Sequence, residues 1–213
     1  MSVYLQPRNP IGSLTKLEFP YTPQIEYSTE VKYNSFDTTH TIYQLYAYTK
    51  TESPTITLNC KFSAHTEQHF RQSEYAIRFL RTYTKMNYGR TDMDRGQTPR
   101  ILRFYAYGTQ VFENVPVVIT RFNMTFPDDV DYVSGQFSDN TLVGVTPVPA
   151  NQAQTLTGTD VRNSRSYQTP LIYLPIFFQI SISLNVQQNL YKTVTEFNLN
   201  DFAAGKLSSK GYI

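Results

Sequence analysis

Cysteine is almost missing from this chain: Cys60 is the only one in 213 residues. An internal disulfide is therefore excluded, as is any paired-cysteine redox or zinc motif. Tryptophan is absent and glycine is scarce, with nine residues. Few glycines leave few backbone loops able to cradle a phosphate, and neither a P-loop nor a GxGxxG motif occurs. Charge is also thin. Asp, Glu, Lys and Arg make up 17% of the chain, against about a quarter in an ordinary soluble domain. The net charge of +2 implies no whole-chain attraction to nucleic acid or to an anionic membrane. The longest apolar run, "LIYLPIFFQI" (171–180), is too short to span a bilayer and is broken by Pro175. The start, "MSVYLQPRNPIGSL", lacks the basic-then-apolar pattern of a secretion signal, so synthesis in the cytoplasm without membrane anchoring is expected.

What the chain has instead is rings. It carries 17 tyrosines and 14 phenylalanines, and its polarity comes mostly from Thr, Asn, Gln and Ser. That composition favours strands, and it favours interfaces where a ring keeps one end in water. Charge is uneven: residues 61–121 hold ten Lys or Arg against five acids. Two readings stay open there, a solvated helix with a loop or a face that meets a polyanion or an acidic neighbour.

Along the chain, residues 1–24 read as an extended, proline-containing N-terminal arm. "IEYSTEVKY" (25–33) and "TIYQLYAYT" (41–49) read as strands around a turn at "SFDTTH". "TITLNCKF" (55–62) alternates, with Ile56, Leu58, Cys60 and Phe62 on one face and Thr55, Thr57, Asn59 and Lys61 on the other. The period then changes. From Thr66 to Met86 there is no Pro or Gly, and Phe70, Ala76, Ile77, Leu80 and Tyr83 share one helical face. Ser63 or Thr66 is the expected cap at its start and Gly89 at its end. Glu67–Arg71 and Glu74–Arg78 are i,i+4 pairs in the favourable order.

After a loop at 88–100, strands are expected at 101–107 and 115–126. The core face of the second is assigned to Val118, Phe122, Met124 and Phe126, with Thr120 between them. Residues 134–170 form a long polar insertion, read as a flexible loop or as a hairpin that orders against a partner. "FQISISLNV" (178–186) alternates again, with Phe178, Ile180, Ile182, Leu184 and Val186 inward. Residues 191–213 read as a polar tail with a short helix in "VTEFNLNDFAAGKL". Strands, one long helix, then strands imply a mainly β (α+β) fold, an antiparallel sheet or sandwich packed on a single helix. The central domain is 25–190.

Signals for chemistry are weak. Asp128, Asp129 and Asp131 in "TFPDDVDYV" invite a metal-site reading, but Gly135 is misplaced for a calcium loop and acids are few on the other strands. Aspartates after a proline commonly form turns, because the carboxylate bonds nearby backbone N–H groups. His65 and His69 are four apart, yet Glu67 sits where it does not match H-E-x-x-H, and His65 is expected to precede the helix. Cys60, on an apolar strand face, reads as a buried inert thiol. No Ser-His-Asp set is apparent. The expectation is no enzyme, no cofactor and no metal.

The block order "PTITLNCKFSAHT", "FRQSEYAIRFLRTYTKMNYG", "TPRILRFYAYG", "NVPVVITRFNMTFPDDVDYV" and "FQISISL" resembles the tail-tube fold of bacteriophage contractile tails, in particular tube-initiator or baseplate-hub tube-like proteins. The resemblance spans roughly residues 25–190 and rests on the order and spacing of blocks. It implies a barrel-like β-sandwich with a helix at its side. It also implies a homohexameric ring, with neighbouring tail-tube and baseplate-hub proteins as partners and DNA only passing through the lumen. The implied location is the virion, after assembly in the host cytoplasm. In such a ring the polar strand faces carrying Thr57, Asn59, Gln179, Ser181, Ser183 and Asn185 are expected to line the lumen. The long insertion departs from a plain tube protein and fits a piece at the end of the tube. The alternative is an aromatic-rich β-domain that stays monomeric and binds carbohydrate or nucleic acid.

Overall fold

The computed structural model describes residues 2–37, 39–89, 95–138, 141–147 and 171–213. Its strands are β1 (Tyr4–Pro7), β2 (Leu17–Glu18), β3 (Gln24–Ser28), β4 (Val31–Phe36), β5 (Leu45–Thr51), β6 (Thr55–Ser63), β7 (Leu102–Ala106), β8 (Phe112–Thr125), β9 (Tyr132–Ser138), β10 (Thr141–Pro147), β11 (Leu171–Pro175) and β12 (Phe177–Val186). Its helices are α1 (Glu67–Tyr83), α2 (Leu190–Glu196) and α3 (Leu199–Ala203), followed by a 3-10 turn at Ser208–Lys210. The fold is mainly β. Seven strands form one antiparallel sheet in the order β2-β1-β7-β8-β12-β6-β3, beside a three-stranded sheet β10-β9-β11 and a two-stranded ribbon β4-β5.

The core lies between the large sheet and α1. Alternation in β6 and β12 drives Ile56, Leu58, Cys60, Phe62, Phe178, Ile180, Ile182, Leu184 and Val186 to one face, where all are buried. The apolar stripe of α1 meets them with Phe70, Ala76, Ile77, Leu80 and Tyr83, and Phe79 joins that stripe. Thr66 caps α1, its hydroxyl accepting from the His69 N–H at 3.3 Å. Glu67–Arg71 and Glu74–Arg78 pair as expected, at 2.7 and 3.4 Å.

The helix does not run to Gly89. It ends at Tyr83 with Thr84 as its C-cap. The hydroxyls of Thr82 and Thr84 donate back to the carbonyls of Arg78 and Leu80, the i−4 back-bond of a helical threonine, and of the two only Leu80 is among the last four carbonyls that the helix leaves without an intrahelical N–H.

Strand β8 corrects the assigned core face. A bulge opposite Ser183 and Leu184 leaves Thr120 as the extra residue, so Arg121 pairs with Ser183 and Ile119 with Leu184. The alternation slips one residue there. Val115 and Val117 are therefore buried, and Ile119, Phe122 and Met124 are partly buried against the core. Val118 instead pairs with Asn185 on the opposite face, and Phe126 lies past the strand end, 44% exposed.

The segment expected to be an N-terminal arm is built into the sheet. β1 pairs with β7 and β2 with β1, and Val3, Leu5, Leu14 and Leu17 are buried. The Tyr83 hydroxyl donates to the Leu14 carbonyl at 2.7 Å and accepts from the Ile11 N–H at 3.0 Å, fastening this segment to α1. The expected strand at 25–33 is two strands, β3 and β4, in different sheets. The strand expected at 41–49 is β5 and begins later, at Leu45.

The tail also docks. Leu207 and Tyr212 are buried, and Asn114 donates to the Ser209 carbonyl at 3.4 Å, which holds the 3-10 turn against β8. At the start of the long polar insertion β9 and β10 form a hairpin, and β11, just beyond its end, adds a third strand. Residues 148–170 of the insertion, and 90–94 of the loop after α1, lie outside the described residues.

Candidate functional site

The face of the large sheet away from α1 brings the six expected lumen residues together. Antiparallel register sets Ser181 beside Asn59 and Ser183 beside Thr57, while Asn185 pairs with Thr55 and Gln179 with Lys61. On its other edge β12 aligns Gln179 with Thr125, Ser181 with Asn123 and Ser183 with Arg121. β3 extends the surface, placing Gln24 beside Asn59 and Glu26 beside Thr57. The result is a continuous four-strand surface of hydroxyl and amide groups. Asn59 and Gln179 are exposed, and Thr57, Ser181, Ser183 and Asn185 are half-buried.

Local bonds hold these groups flat. The Thr55 hydroxyl donates to the Asn185 Oδ1 at 3.2 Å, and the Thr120 hydroxyl of the bulge donates to the Ser183 carbonyl at 3.1 Å. Gln24 Nε2 donates to Glu26 Oε1 at 3.4 Å. At these paired positions the charged groups are Glu26, Lys61 and Arg121 alone, so the surface is close to neutral. A shallow depression of about 520 Å³ lies on it, lined by Tyr21, Thr22, Gln24, Asn59, Lys61, Thr125, Gln179 and Ser181.

Thr55 and Lys61, on the polar face of β6, join this surface without having been expected site residues, and so do five further members: Gln24, Glu26, Arg121, Asn123 and Thr125. The last three were within reach of the alternation in "TRFNMTF", whose apolar positions Phe122 and Met124 leave Arg121, Asn123 and Thr125 on the other side. Gln24 and Glu26 had no such signal, because only the register of β3 on β6 brings them here.

The residues considered for chemistry are dispersed. Asp128 and Asp129 sit exposed in a bend after Pro127. The Asp131 carbonyl accepts from the Ile176 N–H at 2.9 Å, and Tyr132 donates its hydroxyl to the Pro127 carbonyl at 3.3 Å, so this stretch joins β8 to β9 as a turn. Among the described residues, no group of three or more His, Cys, Asp or Glu side chains is placed to hold a metal ion. His65 is exposed and lies edge-on to the Phe177 ring, while His69 Nδ1 is 3.2 Å from the Ser63 hydroxyl. Cys60 is buried in the core, and that burial pushes its thiol up to about 12.

Comparison with known protein families returns no matching family model, and no curated protein matches the sequence. Among the described residues, no helix is long and apolar enough to cross a membrane.

Proposed function

We propose that this chain is a structural protein of a contractile phage tail. In this reading six copies form a ring of the tail-tube type, a tube initiator in the baseplate hub that joins the tube to the baseplate. The large sheet and its companions are then the tube-type sandwich, and the chain performs no catalysis.

One observation carries the reading: the continuous, nearly neutral face spanning β3, β6, β12 and β8. Attraction to nucleic acid grows with the number of Lys and Arg groups that meet phosphates. A surface of hydroxyls and amides stays wetted and offers a passing polyanion no deep electrostatic trap. Turned inward around a ring, it would line a channel through which DNA slides. The opposite face is occupied by α1 and the core, so each subunit presents a smooth polar side and a packed side.

Electron microscopy of the purified chain, and reconstruction of tails that contain it, tests the proposal. The expected image is a symmetric ring on the tail axis with the β6–β12 face toward the channel. A single copy placed off the axis would overturn it. A monomer that titrates with an oligosaccharide or a short oligonucleotide would favour the binding-domain alternative.

A further inference from the structure

We propose that a basic pocket at one end of the large sheet, where β1, β7, α2 and the C-terminal 3-10 turn meet, is a binding site for a phosphate group. The pocket lies beyond Asn185, past the end of the four-strand surface. It is built within one chain, so the inference does not rest on the ring reading.

The pocket has a volume of about 390 Å³, which is within the range of small-ligand sites. Among the described residues its wall carries four cations, Arg8, Arg103, Lys192 and Lys210, and no carboxylate. They stand far apart in sequence, and only the fold gathers them. The alternation that buries Leu102 and Val117 turns Arg103 and its partner Pro116 to the face away from α1. Arg8 follows β1, its N–H donating to the Ile101 carbonyl at 3.5 Å. Lys192 stands on α2, and Lys210 ends the turn that docks on β8. Glu196 pairs with Lys210 at 3.6 Å. Among the described residues, Arg8, Arg103 and Lys192 form no ion pair.

A cleft lined by one sign of charge focuses its field and concentrates the opposite ion. Arg103 is also held in place. Asn114 sits at φ 54°, a left-handed backbone that asparagine adopts more readily than most residues. Its carbonyl accepts from Arg103 Nη1 at 3.1 Å. Its side chain accepts from the Tyr105 hydroxyl at 3.2 Å and donates to the Ser209 carbonyl at 3.4 Å. One residue thus steadies both Arg103 and the turn that bears Lys210. The bond to Asn114 takes one N–H of the guanidinium fork and leaves the others for a ligand. Gln187 adds an uncharged donor at the rim, whereas the Gln188 amide is spent on the Gly211 carbonyl. Cations reaching one cavity from four separate elements suit a tetrahedral oxyanion, whose oxygens point in several directions. A planar carboxylate is matched by a single fork. Free phosphate and the backbone phosphate of a nucleic acid share this chemistry.

Two titrations of the full chain test the site and separate the sources. One follows the anisotropy of a short labelled oligothymidylate at several salt concentrations. The other is calorimetry with inorganic phosphate, with chloride holding the ionic strength constant. Arg8→Gln with Lys192→Gln removes two exposed cations from the pocket, and far-UV circular dichroism should not change. Lys61→Gln with Lys85→Gln removes the same charge from exposed positions outside it. For a nucleic-acid ligand, the pocket pair should weaken oligothymidylate binding roughly tenfold or more at low salt and lower the slope of log K against log salt by about 1.4. The control pair should leave both close to wild type. Phosphate heat that vanishes in the pocket pair, with no oligothymidylate binding, would support the site and assign it to free phosphate. Binding of neither probe, or equal losses from the two pairs, would overturn it. Oligoglutamate binding that the pocket pair abolishes, with neither phosphate probe bound, would overturn it in favour of an acidic protein segment. Sedimentation of the same samples reports the ring reading separately: a monomer that binds through this pocket keeps the site and loses the ring, and a ring that binds neither probe does the reverse.

Discussion

Tyr83 does more than fill the core. Its ring is buried at the end of α1, and its hydroxyl serves two backbone groups of the N-terminal segment, Ile11 and Leu14. Burial, the largest influence, holds its pKa above the ordinary tyrosine value, against the opposing bond from Ile11. Tyr83→Phe keeps the ring and strips both bonds. Leaving buried backbone groups unpaired costs about 1–3 kcal/mol. The expected outcome is that loss in urea unfolding, with faster protease cleavage near Ser13. Unchanged cleavage would show that β1 pairing alone holds the segment. Glu74 makes a second test at this scale. Burial raises its pKa, and nearby Arg78 only partly opposes that. For an acid whose folded pKa is raised, the folded state holds its proton more tightly. Stability therefore falls as pH climbs from the unfolded carboxylate value through the raised folded one. Glu74→Gln should be more stable than wild type at pH 7, and the gain should vanish as the pH drops below the ordinary carboxylate range. Chemical denaturation at pH 7 and pH 3.5 checks both sign and window. A variant less stable at pH 7 would mean that the Arg78 pair outweighs desolvation.

At the scale of elements, legibility followed local period. Strands β6 and β12 and helix α1 each carry a clean repeat over nine or more residues, and their buried faces came out as read from the sequence. Strand β8 misled because its bulge at Thr120 shifts the phase, and nothing local in "VVITRFN" marks the extra residue. The N-terminal segment misled for another reason. Its apolar residues are spaced irregularly, at Val3, Leu5, Leu14 and Leu17, and they become core only through pairing with β7, far along the chain. The six polar positions of the candidate surface were legible from alternation in two strands, but their union into one face needed the register. The tail shows the same dependence on distant contacts. Gly211 sits at φ 83°, where side chains are strained, and a Cβ there would collide with the Asn114 carbonyl and lie 2.9 Å from Pro116 Cδ. Gly211→Ala should release the last turn from β8 while leaving the sheet folded. Hydrogen exchange should then rise at 207–213, and Tyr212, 7% exposed in the wild type, should become accessible. Unaltered exchange there would mean that the contact between the tail and β8 adjusts without releasing it.

At the scale of the whole molecule, the tube reading depends on the sign and density of charge on one face. Asn59 and Asn123 flank Ser181 on neighbouring strands, so they are two spacings apart, and both are exposed. Changing both to Lys adds two positive charges per copy without placing like charges directly opposite. Exposed substitutions of this kind usually shift stability by less than about 0.5 kcal/mol. If the face lines a DNA channel, each added cation meets phosphate as the strand passes, and the gain is salt-dependent because bound counterions are released. Tails carrying the double Lys variant should assemble normally. They should then release DNA about tenfold more slowly at low ionic strength, recovering as salt rises. The matching Asn59→Glu, Asn123→Glu variant should show no such retention, which separates attraction from narrowing of the channel. Equal slowing by both variants would point to width as the cause. Release unaffected by the Lys pair at low salt, in tails verified to contain it, would show that this face does not meet the DNA.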